Sequence, residues 1–251
     1  MDLIESVQNN QVKEWKKLLT RKGRKKQSKY VIEGEHLVEE AIRAKAAIET
    51  ILIREDKWSG YLDYDADRSV MISEEVSALL TDTVTDQGIF AVVHMKEEQQ
   101  SITGNRPVLL LDKIQDPGNL GTLIRSADAA GFEGVIIGKG SVDLYNPKAL
   151  RSAQGSHFHL PVIHDELLHW IEAFKKQGIE VYGTALDERA ESYHEVSSKD
   201  AFALIVGNEG NGVDPEILKQ TTKNLYIPIK GKAESLNVAI AASVLMFSLY
   251  K

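Results

Sequence analysis

The chain has 251 residues, of which 43% are hydrophobic and 27% charged, with a formal net charge of −7 and no cysteine. That composition is globular and long enough for two cores. It excludes disulfides, thiolate nucleophiles and sulfur-based zinc sites, and no apolar run is long enough to span a bilayer, so no membrane partner is expected.

The segment MDLIESVQNNQVKEW carries charges among its apolar positions and is not a secretory signal; a cytoplasmic protein is expected. The charge is segregated, with nine Lys or Arg against three Asp or Glu in the first thirty residues. Apolar residues recur at helical spacing over 12–19, where RKGRKKQSK interrupts them. Within that stretch Arg21, Arg24, Lys25 and Lys26 are candidates for an anionic partner such as RNA, the plain alternative being a solvated charge run. Residues 30–32 form a short apolar strand. A helix over 36–47 places Leu37, Val38, Ala41 and Ile42 on one side. A strand is expected over 50–53 and a polar loop over 56–67. Ser73 caps a helix that turns Val76, Leu79 and Leu80 inward, and a strand over 89–93 follows the Gly88 turn. Residues 1–96 thus alternate helix and strand and close as one α/β unit. The polar KEEQQSITGNR places a linker at 97–106.

Residues 107–251 read as alternating strands and helices: strands over 108–111, 135–137, 181–185, 201–206 and 225–229, helices over 147–154, 164–177 and 215–220, and a last helix from about Ser235. Strands without polar alternation, separated by helices, indicate a mostly parallel α/β sheet covered on both faces, with its ligand site at the carboxyl ends of the strands.

Three loops at those ends carry the chemistry. In LDKIQDPGNLGTLIRSADAAGF, residues 111–132, Asn119 is suited to cap a helix. Asn119, Thr122 and Arg125 share a face, and the Arg125 fork suits a phosphate or carboxylate. A capped helix with a surface arginine is the plain alternative. In LIVGNEGNGVDP, residues 204–215, three glycines surround Asn208, Glu209 and Asn211; there is neither GxGxxG nor a P-loop lysine. In LYIPIKGKAESLNVAIAASVLMF, residues 225–247, Ser235 can cap the last helix and leave Asn237 in its first turn. That helix is apolar nearly all round and is expected to be buried in a core or a dimer interface. His157, His159 and His164 have no acidic cluster with them, and no metal site is expected.

NLGTLIRSADAAGF resembles motif 1 of the SpoU/TrmH branch of the SPOUT methyltransferases, LIVGNEGNGV resembles motif 2 and IPIKGKAESLNVAIA motif 3, in the family order over residues 107–251. YNPKALRSAQGSHFHLPV is similar to the segment between motifs 1 and 2. SKYVIEGEHLVEEA and TDQGIFAVV resemble the L30e-like RNA-binding domain of the ribosomal members. The resemblance implies a small L30e-like α/β domain followed by a trefoil-knotted α/β domain, an exception to the rule against threading. It further implies a homodimer through the second domain and a methyl transfer from S-adenosyl-L-methionine (SAM), without a metal, to a ribose 2′-hydroxyl. Ribosomal RNA is favoured over transfer RNA because of the folded first domain. The family pattern carries SAM contacts onto Gly207, Ile227 and Leu236, with Thr184 and Asn208 nearby. Arg125 would bind the phosphate beside the target ribose, Asn119 would hold the first loop, and Ser235 and Asn237 the third. The base is left open between Arg125 and Glu209, the latter also being a candidate to orient Arg125. Two other readings remain: a transfer-RNA methyltransferase of the same branch, and a non-catalytic RNA-binding or assembly protein, against which the intact Asn119, Arg125, Glu209 and Asn237 speak.

Overall fold

The computed structural model describes residues 3–60, 69–83, 86–95, 101–187 and 189–250. These fall into two compact units: the described residues of Met1–Glu97 together with Asp143–Phe158, and those of Glu98–Val142 together with His159–Lys251.

The first unit opens with β1 (Leu3–Ile4), α1 (Asn10–Lys17) and α2 (Arg21–Gln27). The basic stretch expected to interrupt helix 12–19 is itself helical. Thr20 caps it by accepting from the Gly23 N–H, and Ser28 closes it in a left-handed conformation at φ 52°. Gly23 is needed there, because a β-carbon would lie 1.9 Å from the Lys17 carbonyl oxygen. Then come β2 (Lys29–Glu33), α3 (Glu35–Arg43), β3 (Ile48–Arg54), β4 (Ser69–Ile72), α4 (Glu74–Leu80) and β5 (Ile89–His94). The strands lie in the order β1-β4-β3-β5-β2, with β3 and β2 antiparallel to β5 and the rest parallel. Alternate residues enter two cores: Val31, Leu52, Phe90 and Val92 meet Val12 and Trp15 of α1, whereas Ile32, Ile51, Ile53 and Ala91 meet Leu37 and Val38 of α3. Burial on both faces explains why these strands read as apolar runs. Part of the expected loop 56–67 lies outside the described residues; Glu55–Gly60 is a 3-10 helix.

The second unit holds β6 (Val108–Leu111), α5 (Pro117–Ala129) and β7 (Gly134–Ile137). The chain then forms α6 (Pro147–Ala153), which packs on β2. Leu150 and Phe158 complete the core beneath α3, so residues 143–158 group with the first sheet although they follow β7 in the chain. The second unit resumes with β8 (Val162–His164), α7 (Leu167–Lys176), β9 (Val181–Thr184), β10 (Glu191–Ser192), β11 (Ala203–Val206), α8 (Pro215–Leu218), β12 (Lys223–Tyr226) and α9 (Val238–Leu249). Its seven strands run β10-β12-β9-β11-β6-β7-β8, all parallel. The central β6 and β11 are buried throughout. The fold class is therefore mixed α/β, with a small first sheet and a parallel second one.

Several expectations are corrected. The strand expected over 225–229 ends at Tyr226, before Pro228, which cannot donate to a ladder. The helix expected from His164 begins at Leu167, because His164 ends β8. Of the expected linker, 97–100 lies outside the described residues, and the remainder is held in place. The Glu133 carboxylate accepts the N–H groups of Thr103, Gly104 and Arg106, and Ile102 is buried. Among the described residues no helix is long and apolar enough to cross a membrane.

Candidate active site

Because the second sheet is parallel, the chain leaves β6, β11 and β12 at one edge. The loops 112–116, 207–214 and 227–237 lie there, and one chain of side-chain hydrogen bonds ties all three.

Its anchor is Glu209. The carboxylate accepts the backbone N–H of Gln115 on Oε2 at 3.1 Å and of Asp116 on Oε1 at 3.1 Å. The Asn119 amide donates to Oε1 at 3.0 Å. The Asn237 amide donates in turn to Asn119 Oδ1 at 2.9 Å, while Asn237 Oδ1 accepts the N–H groups of Ala239 at 2.9 Å and Ile240 at 3.2 Å. The direction of the chain is set at its ends. An ionised carboxylate only accepts, so Asn119 must offer its NH2 to Glu209 and its oxygen to Asn237. The open N–H groups of α9 claim the Asn237 oxygen, so its NH2 faces Asn119.

Two capping expectations change. Asn119 does not cap α5. Asp116 does, accepting from the Asn119 N–H at 2.9 Å, because Pro117 occupies the first helical position and starts the helix earlier. Asn119 is thereby freed to point its amide at Glu209. Likewise Asn237, not Ser235, caps α9. Ser235 is exposed in the loop before it and makes no hydrogen bond among the described residues.

Partial burial pushes the Glu209 carboxyl up, but the hydrogen bonds from Asn119, Asp116 and Gln115 outweigh it and hold the group below its ordinary value. A carboxylate so occupied is a poor proton acceptor, and it makes no bond to Arg125. Glu209 organises the loops. Arg125 sits six residues beyond Asn119 on α5, about 9 Å along the axis. It is exposed, with no hydrogen bond or ion pair among the described residues.

Of the residues expected to touch the methyl donor, Gly207 follows β11 where the loop doubles back: a β-carbon there would lie 2.2 Å from the Gly212 carbonyl carbon and the Val213 nitrogen. Only glycine permits that approach. Asn208 pairs with Gly212 through two backbone bonds of 2.9 Å. Its side chain donates to the Lys113 carbonyl at 3.0 Å and accepts from Gly210 and Asn211. These bonds hold Asn208 in the turn and leave one N–H of its amide for a ligand. Thr184 donates its hydroxyl to the Ile205 carbonyl at 3.1 Å. Ile227 is half-buried and Leu236 is 39% exposed. The motif reading overlooks Asp112, Lys113 and the N–H groups of Gln115 and Asp116. A charged residue directly after the fully apolar VLLL strand is the available signal for Asp112.

In the first unit the candidate Arg24 is corrected. It is 3% exposed, donating to Asp143 Oδ2 from Nε at 3.1 Å and from one terminal nitrogen at 2.5 Å, and to the Leu18 and Leu19 carbonyls from the other. It is structural and does not face an RNA. Arg21, Lys25 and Lys26 are exposed on α2. The histidines do not converge: His157 is buried beside Tyr30 in the first unit, and His159 pairs with Asp128 at 2.8 Å in the second.

Residues 106–247 match the SpoU rRNA methylase family, and residues 9–91 match the MRM3-like substrate binding domain. The chain belongs to the SpoU rRNA methylase family. The 23S rRNA (guanosine(2553)-2′-O)-methyltransferase RlmP of Bacillus subtilis is 48% identical to it, over 99% of both chains. Among solved structures, the AdoMet-bound rRNA methyltransferase of Sinorhizobium meliloti superposes with a TM-score of 0.87 at 26% identity, covering 99% of this chain and 97% of that one. The SpoU methyltransferase AviRb of Streptomyces viridochromogenes, in complex with AdoMet, gives 0.82 at 27% identity, covering 96% and 97%. This protein is a SAM-dependent RNA methyltransferase.

Proposed function

We propose that the protein methylates the ribose 2′-hydroxyl of a guanosine in 23S ribosomal RNA, the position acted on by the Bacillus relative. The observation that carries this reading is the Glu209–Asn119–Asn237 chain, which fixes three loops around a helix whose Arg125 has no partner among the described residues. The substrate-binding domain and the near-complete coverage of the ribosomal relative favour ribosomal over transfer RNA.

The residues at the strand ends fit SAM. Leu186, Ile229 and Leu236 are exposed by 74%, 36% and 39%, close in sequence to Thr184 and Ile227, and offer apolar cover for an adenine. Gly207 and Ile227 would meet it through backbone. When bound, SAM supplies a methyl group already activated on a sulfonium. What remains for the protein is to bring the ribose oxygen into line, which by itself removes much of the barrier. Arg125 grips the phosphate beside the target ribose with its fork and stabilises charge developing on the 2′-oxygen. Glu209 and Asn119 hold the turn from which α5 springs, Asn237 holds the third loop against it, and Ser235 faces the substrate.

The second domain is read as the knotted fold that the family resemblance implies, and as the dimerising one. On α9, Ile240 and Phe247 are 55% and 60% exposed and lie on one stripe with Val244. An apolar stripe of that kind calls for cover, and a second copy supplies it. In the first unit Arg21, Lys22, Lys25 and Lys26 of α2, with Lys13 and Lys16 of α1, are exposed cations without ion pairs among the described residues. They take the RNA backbone in salt-dependent contacts. A cytoplasmic location is part of the same proposal.

The test is calorimetry with SAM, followed by transfer of a labelled methyl group to 23S rRNA and to tRNA. Micromolar SAM binding with transfer to the ribosomal substrate is expected. A protein that ignores SAM, or methylates only tRNA, contradicts the reading.

A further inference from the structure

The 207–214 loop is gripped from outside by the turn after β6. Asp112 is 3% exposed. Its Oδ2 accepts the backbone N–H of Asp214 at 2.7 Å, and its own N–H donates to the Val206 carbonyl at 2.9 Å. Asp214 needs no help in starting α8, since it caps that helix with its own Oδ1, 2.9 Å from the Glu216 nitrogen. What Asp112 adds is the place of that helix start relative to the turn before α5. Lys113 reaches two further points of the same loop. Its carbonyl accepts the Asn208 amide at 3.0 Å and its ammonium meets Asp214 Oδ2 at 2.7 Å. It does so from a left-handed backbone, φ 56°, a conformation that side-chain-bearing residues adopt chiefly where their surroundings over-determine it.

Gly207 lies on one side of these contacts, and Asn119 and Arg125 on the other. The two groups hang from neighbouring strands and are tied at Glu209; Asp112 adds a separate tie at the far end of the loop, at Asp214. An in-line transfer is sensitive to shifts between the two groups, a displacement of about 1 Å costing on the order of 100-fold in rate. We propose that Asp112 is a positioning residue for methyl transfer. It clamps the 207–214 loop onto the turn that leads to Asn119 and Arg125, with Lys113 as the second grip, and so sets how the ribose oxygen meets the methyl group. The proposal rests on reading 207–214 as a donor-side loop.

The experiment compares full-length Asp112→Ala, Asp112→Asn and Lys113→Asn for SAM affinity by calorimetry, kcat on 23S rRNA at saturating SAM, and melting temperature. Asp112→Ala is expected to lose about 10- to 100-fold in kcat with SAM affinity within about 3-fold of the parent. Asp112→Asn, which keeps an oxygen for the Asp214 N–H, returns kcat to within about 3-fold. Lys113→Asn, which tolerates the left-handed backbone, loses about 2- to 5-fold, the scale of an exposed ion pair. A kcat unchanged in Asp112→Ala overturns the proposal. So does a loss of SAM affinity as large as the loss of kcat, which makes Asp112 part of the donor pocket, or an Asn variant no better than Ala. If Asp112→Ala does not fold, Lys113→Asn decides: reduced kcat with retained SAM affinity supports the clamp, and unchanged kcat rejects it. A parent enzyme that binds no SAM refutes the donor-loop reading itself.

Discussion

Helices α2 and α5 each carry an arginine whose sequence context marks it as a ligand for RNA, and the two have opposite fates. Arg24 is buried, with its guanidinium shared between the Asp143 carboxylate and two backbone carbonyls. Arg125 is exposed and has no partner among the described residues. A buried guanidinium with four of its five N–H groups engaged has little left to offer a phosphate, whereas an open fork on a rigid helix does. Charge density in the sequence does not separate these cases, because the partner that captures Arg24 lies 119 residues away.

The comparison is sharpest in the effects of removing each side chain. Arg125→Ala should lower kcat by about 1000-fold, the upper range for removing a group that stabilises transition-state charge, with melting temperature and SAM affinity unchanged. Arg24→Ala should do the reverse. It strands the Asp143 carboxylate and should cost about 3–5 kcal/mol of stability in denaturant unfolding, leaving kcat of the folded fraction intact. If Arg24→Ala were as stable as the parent and failed to bind RNA, the structural assignment of that arginine would be wrong.

Glu209→Gln comes next. The amide cannot accept from Gln115, Asp116 and Asn119 together, so one donor must face another, and kcat should fall about 10- to 100-fold. The sign of the pH dependence follows from the depressed carboxyl. Its stabilising contribution is complete above its ordinary value of 4.5 and is lost only as pH falls through the lower folded value. A kcat profile between about pH 5 and 8 should therefore contain no ionisation that Glu209→Gln removes; such an ionisation would restore Glu209 as the base. The smallest effect is expected on α2. Replacing Arg21, Lys22, Lys25 and Lys26 by Gln should leave stability unchanged. It should flatten the salt dependence of RNA binding by about 0.7 in log–log slope for each phosphate left without its cation. An unchanged slope would move the RNA off this helix.

The parts legible in the sequence are those with local causes. The apolar strands VLLL and ALIV, the glycine-rich turn after β11 and the amide-bearing loops can be placed from residue type alone. What cannot be placed depends on competition or distance. Asp116 displaces Asn119 as a cap because proline prefers the first helical position, and Asn237 displaces Ser235 because its amide can satisfy α9 and reach Asn119 at once. Residues 143–158 join the first core through Leu150 and Phe158, which no periodicity reveals. The last helix reads as apolar all round, yet Ile240 and Phe247 face outward, which is what the proposed second copy would cover.

The most direct measurement of what the three linked loops do is quantitative mapping of ribose methylation in total RNA from cells with and without the gene. The expected result is the loss of one 2′-O-methylguanosine from 23S rRNA, restored by the parent gene and not by Arg125→Ala. A methylation map unchanged by deletion, or one altered only in transfer RNA, would contradict it.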